Sequence, residues 1–383
     1  MRRPACPGAC AGGLPGACRG PAGGLPGACR ARAPVALGHA PPRAALTAGL
    51  VSIVSTLKAV GAAMNRGPLA EGAAREPMPL VPYVAACVLP INAFHPSTDT
   101  APQLKPRPRP TPRAVLAGLL VHAAALVAAA KALVAHGDAL PPLARRLLQA
   151  VALHCALVCL LDGSGLVAAV AVDGLECGPH HDLPLLATGV APFWSRWNLV
   201  VGDLLRAVVF EPVSEGRAVR RVAAPDANGH PRPRSLPPAP DAGPGPAWPP
   251  PAARRALGAA AAFAVSGLVH EAFFWHLTGG VHGGGGRLSG ALLPMCLFFA
   301  AQSVVVPAER WAKRRALEAA GVPGDHPAWW LWAFAALMGL GSPLFLAPLE
   351  REGITPRFLG EVVALADAAA GLVRGGVGVA VGA

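Results

Sequence analysis

Long apolar runs alternate with short polar breaks along most of the chain. Runs of 17 to 25 residues cover 45–64, 78–94, 114–135, 147–171, 256–277, 289–308 and 328–349. An α-helix needs about 20 apolar residues to cross a bilayer core. Each run is therefore predicted to be a membrane span, with 78–94 near the lower limit. An eighth run, 358–382, is interrupted by Glu361, Asp367, Arg374 and a Gly-rich end. The pattern predicts an all-α fold, a multispanning transmembrane helical bundle of about seven or eight spans.

The breaks have their own character. Every second residue between Pro106 and Pro112 is proline, interleaved with Lys105, Arg107, Arg109 and Arg113, which reads as an extended basic linker. Residues 214–255 hold 11 prolines and seven arginines and no apolar run, so they read as a flexible loop outside the bilayer. Residues 1–45 are Gly/Ala/Pro/Cys/Arg-rich, and a nine-residue unit occurs at 11–19 and again at 22–30. That segment reads as a low-complexity, disordered tail or a gene-model artefact, with an Arg-rich targeting peptide as the alternative. Residues 46–383 form the expected membrane-embedded domain.

Composition supports the membrane reading. The chain is 53% hydrophobic and 14% charged, against about 25% charged for soluble domains. This argues against a soluble enzyme and against disorder. The net charge of +12 does not point to nucleic acid, because the basic residues do not sit on a polar, aromatic-bearing surface. Arg outnumbers Lys 29 to 4, beside 45 Gly and 43 Pro. That skew fits a GC-rich genome, in which Ala replaces Leu or Ile and makes spans look weakly apolar. The nine cysteines show no disulfide or metal-ligand spacing and read as reduced thiols. Lys and Arg near the ends of the spans from 114 to 349 divide 10 to 6. The side bearing Arg107, Arg254 and Lys313 is therefore predicted to be cytosolic.

Several motifs with known chemistry are incomplete. His180-His181-Asp182 starts an HHxxxD pattern, but residue 185 is Leu. His270-Glu271 starts HExxH, but residue 274 is Phe. His282 precedes four glycines without a GxSxG partner.

Two features survive. His270 and Glu271 lie inside the run 256–277, with His270 14 residues from one end and seven from the other. These separations are roughly 21 Å and 10 Å of helix. An ionisable group at hydrocarbon depth is costly unless it faces the bundle interior or a water-filled cavity, so it is a functional candidate. Ser266, His270, Phe273, Phe274 and Leu277 share one helical stripe, and Glu271 is rotated about 100° from it. The bland alternative is a helix–helix hydrogen bond without chemistry. The second feature is Phe193-Trp194-Ser195-Arg196-Trp197-Asn198, which precedes an amphipathic stretch at 199–213. Trp with Arg reads as an interfacial helix in the headgroup layer, which leaves Asn198 as a polar amide at the membrane entrance.

These residues carry a resemblance. Residues 182–213 (DLPLLATGVAPFWSRWNLVVGDLLRAVVFEPV) and 265–279 (VSGLVHEAFFWHLTG) resemble the plant-type wax synthase family of the membrane-bound O-acyltransferase (MBOAT) superfamily. Supporting matches are TLKAVGAAMNRGPL at 56–69, LPIN at 89–92 and GSPLFLAPL at 341–349. The family commonly has two basic residues before Trp-Asn, where this chain has Arg196 alone. One residue fewer rotates Asn198 relative to Trp194 if the segment is helical. The resemblance implies a multi-pass membrane enzyme of the endoplasmic reticulum that transfers a fatty acyl group from acyl-CoA to a long-chain fatty alcohol. It implies His270 as the active-site residue and Asn198 as the second. Trp194, Arg196, Trp197, Ser266 and Glu271 are candidates for substrate contact. No metal or redox cofactor is implied, acyl-CoA being a co-substrate. The motifs do not fix the acceptor. Diacylglycerol, a sterol or a terpenoid alcohol remain open, as does an inactive relative serving as a membrane scaffold.

Overall fold

The computed structural model describes residues 42–73, 79–94, 111–172, 175–220, 250–278 and 293–381. Residues 1–41, most of the Pro-Arg linker and of the 214–255 loop, and His282 lie outside the described residues.

Helices make up nearly all of the described chain. They are α1 (Pro42–Ala63), α2 (Gly67–Ala73), α3 (Leu80–Val88), α4 (Pro112–His136), α5 (Pro142–Ala171), α6 (Val190–Arg196), α7 (Leu199–Leu205), α8 (Glu211–Glu215), α9 (Pro251–Leu277), α10 (Pro294–Ala320), α11 (Ala328–Gly341), α12 (Ala347–Arg351) and α13 (Ile354–Val381). Two three-residue strands, β1 (Asn92–Phe94) and β2 (Glu176–Gly178), pair antiparallel with Asn92 opposite Gly178. Four stretches are long and apolar enough to cross a membrane, at Pro112–His136, Pro142–Ala171, Ala252–Leu277 and Ala328–Arg351. The protein is an all-α, multispanning membrane bundle.

The remaining apolar runs differ from the sequence expectation in instructive ways. The run at 78–94 is not a span. Its helix α3 has nine residues and ends at Val88, because Pro90 forces the chain before it into extended geometry. Lys58 of α1 holds that end, donating from Nζ to the carbonyls of Ala86, Leu89 and Ile91 at 2.6, 2.7 and 3.0 Å. In α1 the apolar part is the shorter stretch Thr47–Ala63. The run at 289–308 opens α10, which continues past Pro307 into Glu309, Lys313 and Arg314. Lys131 near the end of α4 pairs with Asp367 of α13 at 2.7 Å.

The predicted helix at 199–213 forms, with helical geometry unbroken from Leu199 to Glu215, but it is not a uniform α-helix. A π-helical turn at Arg206–Phe210 separates α7 from α8, and a second at Ser342–Leu346 separates α11 from α12. Each has a proline two residues beyond its end, Pro212 and Pro348. Proline lacks the N–H and its ring clashes with the carbonyl four residues back, which favours a widened turn there. The segment also does not lie free on a surface, since Leu199, Val200, Leu204 and Ala207 are buried. Val200 and Leu204 pack on Val54 of α1.

The largest apolar cluster joins α4, α5 and α13 through Leu126, Leu133, Cys155 and Leu359. A second joins Phe274, Met295 and Ile354. Small residues let α9 and α10 approach closely: a Cβ at Gly267 would stand 2.9 Å from the Cys296 Cα. Cys87, Cys155, Cys159, Cys177 and Cys296 are free thiols. Arg66, fully buried after α1, bonds Glu211 at 3.1 Å and Glu215 at 2.7 Å. Thus the turn after α1 is clamped to α8.

Candidate active site

His270 lies on α9, where its Nδ1 meets the Ser266 carbonyl at 2.7 Å, one helical turn back. A carbonyl oxygen only accepts, so Nδ1 carries the proton and Nε2 presents a bare lone pair in the neutral ring. The imidazole lies against Phe299 of α10 at 4.4 Å between centroids and Phe345 of the second π-turn at 5.8 Å. Ser266 therefore contributes its carbonyl rather than its hydroxyl. Glu271 engages α10: its Oε2 accepts from Met295 N at 3.0 Å and Cys296 N at 3.4 Å. These are orphan donors of a helix N-terminus, so Glu271 fixes where α10 starts. The structure gives it an anchoring position, turned from His270 as helical geometry requires.

The aromatic-basic segment splits the expected helix. α6 ends at Arg196, Trp197 is extended, and Asn198 takes left-handed geometry with φ 38°. The rotation expected from one missing residue therefore does not apply, because no helix runs through Trp197 and Asn198. Asn198 is the N-cap of α7, its Oδ1 accepting from Val201 N at 3.2 Å. That commits the acceptor end of the amide and leaves the Nδ2 donor without a hydrogen bond among the described residues.

Neighbouring groups hold Asn198 in this conformation. Leu199 N donates to the His180 carbonyl at 2.7 Å, and Asp182 N to the Arg196 carbonyl at 3.0 Å. His180 is buried. Its ring nitrogens meet Asp162 Oδ1 at 2.9 Å and the Pro90 carbonyl at 2.6 Å, and its N–H donates to Asp162 at 2.8 Å. Asp162 of α5 and the chain before β1 thus fix the segment after β2 that holds the residues flanking Asn198.

Trp194 points the other way. Its Nε1 donates to Gln302 Oε1 at 3.1 Å, and its ring meets Phe263 and Phe299 at 5.8 and 5.5 Å. Trp194 and His270 therefore share Phe299. Trp197 stacks on Phe193 at 5.2 Å. Asn198 and His270 sit on packed elements, α7 and α9, and no hydrogen bond joins them among the described residues.

Gln302, Phe299 and Phe345 were not singled out from sequence. Gln302 carried a signal, as a polar residue inside an apolar run, and Asp162 stands out in the sequence in the same way. The anchor of α6 was also missed. Glu309, 1% exposed, accepts from Val190 N at 2.6 Å and pairs with Lys313, which donates to the Thr188 carbonyl at 2.6 Å. A Cβ at Gly189 would run into both charged ends. Gly189→Ala is expected to cost about 1–3 kcal/mol through overpacking. Gly360→Ala, where a Cβ meets open space, should leave stability unchanged or raised. Thermal unfolding of the detergent-solubilised protein compares the two. Equal midpoints would mean that the Glu309–Lys313 clasp does not constrain this turn.

Among the described residues no group of three or more His, Cys, Asp or Glu side chains is arranged to hold a metal ion. No family model matches the chain. Curated relatives do. The chain is 28% identical over 195 residues to probable long-chain-alcohol O-fatty-acyltransferase 7 of Arabidopsis thaliana, covering 51% of this chain and 46% of that protein. It is 30% identical over 172 residues to acyl-CoA–sterol O-acyltransferase 1 of Arabidopsis thaliana, covering 44% and 46%. Over 113 residues it is 34% identical to the long-chain-alcohol O-fatty-acyltransferase of Simmondsia chinensis, covering 29% and 24%. The matches span about half the length of the first two relatives, or less.

Proposed function

We propose that this relative of the long-chain-alcohol O-fatty-acyltransferases is itself an integral-membrane O-acyltransferase that moves a fatty acyl group from acyl-CoA to a long-chain fatty alcohol. The observation that carries the reading is His270, whose Nδ1 is committed to the Ser266 carbonyl while Nε2 faces the bundle unprotonated. In this reaction Nε2 accepts the alcohol proton as the alcohol oxygen attacks the thioester carbon. Such a base contributes typically 10²–10⁴-fold. The tetrahedral oxyanion takes a hydrogen bond from Asn198 Nδ2, the amide end left open by the cap. Collapse breaks the C–S bond, and the imidazolium returns its proton to the departing thiolate. Phe299 and Phe345 exclude water around the ring, which favours alcoholysis over hydrolysis. The Coenzyme A phosphates approach from the Arg-rich cytosolic face, and both lipid tails enter laterally from the bilayer. Residence in the endoplasmic reticulum belongs to the same reading.

A sterol acceptor is the second reading, favoured by the sterol-acylating relative. Membranes from a host lacking neutral-lipid synthesis, supplied with labelled acyl-CoA and a panel of fatty alcohols, sterols, diacylglycerol and terpenoid alcohols, separate the two. Ester formed with fatty alcohols above the other acceptors is the expected result. Sterol ester in excess would move the assignment to the second reading. No ester from a stably inserted chain under any acceptor would overturn both and leave a membrane scaffold.

A further inference from the structure

His154 of α5 and His181 after β2 form a second polar centre that the mechanism above does not use. Their rings stand edge to face at 5.4 Å, and both contact Trp197, at 5.4 and 5.5 Å. His122 of α4 packs on His154 at 5.8 Å. Its Nδ1 donates to the Gly118 carbonyl at 2.7 Å, so its Nε2 is also bare.

The rings are unusual in lacking partners among the described residues. His154 is 7% exposed, and its Nδ1 is shielded from solvent without a hydrogen bond. Both ring nitrogens of His181 are shielded and unbonded. A neutral imidazole has one N–H and one lone pair, and burying either without a partner is costly. Burial lowers the His181 pKa to about 4; Asp162 opposes the shift, and the neighbouring histidines His154, His180 and His122 add to it. The ring is therefore neutral at physiological pH. What satisfies such a pair is an oxygen that both donates and accepts, such as that of a hydroxyl.

We propose that His154 and His181 hold the hydroxyl of the alcohol acceptor in a subsite separate from the reaction centre. The hydroxyl's assignment to the alcohol rests on the acyltransferase reading; the need for an oxygen that donates and accepts does not. A chain of ring contacts connects these histidines to His270. It runs from Trp197 to Phe193 at 5.2 Å, Phe193 to Trp194 at 5.2 Å, Trp194 to Phe299 at 5.5 Å and Phe299 to His270 at 4.4 Å.

The test uses a photoreactive long-chain fatty alcohol on the full chain in detergent. Wild type should be labelled saturably within α5 and 175–199, with competition by unlabelled alcohol and not by the alkane of equal length. His181→Phe and His154→Phe keep a ring and remove the nitrogens. Each should weaken labelling and raise KM for the alcohol about tenfold, with KM for acyl-CoA unchanged. His181→Gln restores a donor and an acceptor and should recover labelling, which separates lost hydrogen bonding from misfolding. His270→Gln should abolish turnover and keep the labelling. Labelled protein that makes no ester would leave the subsite standing and sink the catalytic reading. Competition by the alkane equal to that by the alcohol, or unchanged labelling of His181→Phe, would overturn the proposal and leave the two rings bridged by water alone.

Discussion

His270→Ala is expected to lower ester synthesis by 10²–10⁴-fold, the range of a general base in the transition state. The fall should appear in kcat rather than in the KM of either substrate, because the proton moves only as the oxygen attacks. Alanine also removes a ring packed on Phe299 and Phe345, so lost activity could reflect a collapsed pocket. His270→Gln answers that, being of similar size and polarity but not basic. Both variants should lose turnover, with the glutamine variant unfolding at wild-type temperature. Wild-type synthesis by either would remove His270 from the mechanism.

Asn198→Asp is the sharper of the tests on the second residue. Asparagine here does two things, capping α7 through Oδ1 and tolerating a left-handed backbone at φ 38°. Aspartate keeps both. It exchanges the Nδ2 donor for an oxygen that repels the oxyanion. The expected outcome is a stable protein with kcat reduced by about 10²–10³-fold, the usual cost of one oxyanion donor. Asn198→Ala should in addition lose stability, by about 0.5–2 kcal/mol for the cap alone. Full activity in Asn198→Asp would confine this residue to the architecture of α7.

How far the sequence went depends on the range of the interaction. The helices α4, α5 and α9 were legible because their apolar runs exceed 20 residues, so composition alone decides them. His270 was legible for the opposite reason, as an ionisable side chain where composition forbids one. The error at 78–94 was avoidable in principle, since Pro90 stands in the run. Asn198 was singled out, but its setting was not legible. Amphipathic spacing from 199 to 213 marks one helical path, and Pro212 stands where it widens, but the left-handed cap at Asn198 depends on what its flanks bond to. The carbonyl of His180 and the carboxylate of Asp162 lie close to Asn198 only in space. Likewise, Glu309 grips Val190 across 119 positions, and no local pattern reveals that. Glu271 was singled out for its depth, but the N–H groups of α10 that it caps belong to another element.

The π-turn at Ser342–Leu346 shapes one wall of the site. A π-turn accommodates one residue more than the α-helical path it interrupts. Deleting one residue within it restores the α-helix and leaves the register of α12 on α11 as it was. What changes is local: the widened turn that sets Phe345 against the imidazole of His270 is gone, although every amino acid of the pocket is still encoded. The shape of this chamber is thus written in chain length as well as in residue identity. Its selectivity can drift by a single-codon deletion that a position-by-position comparison would score as a gap in a transmembrane helix.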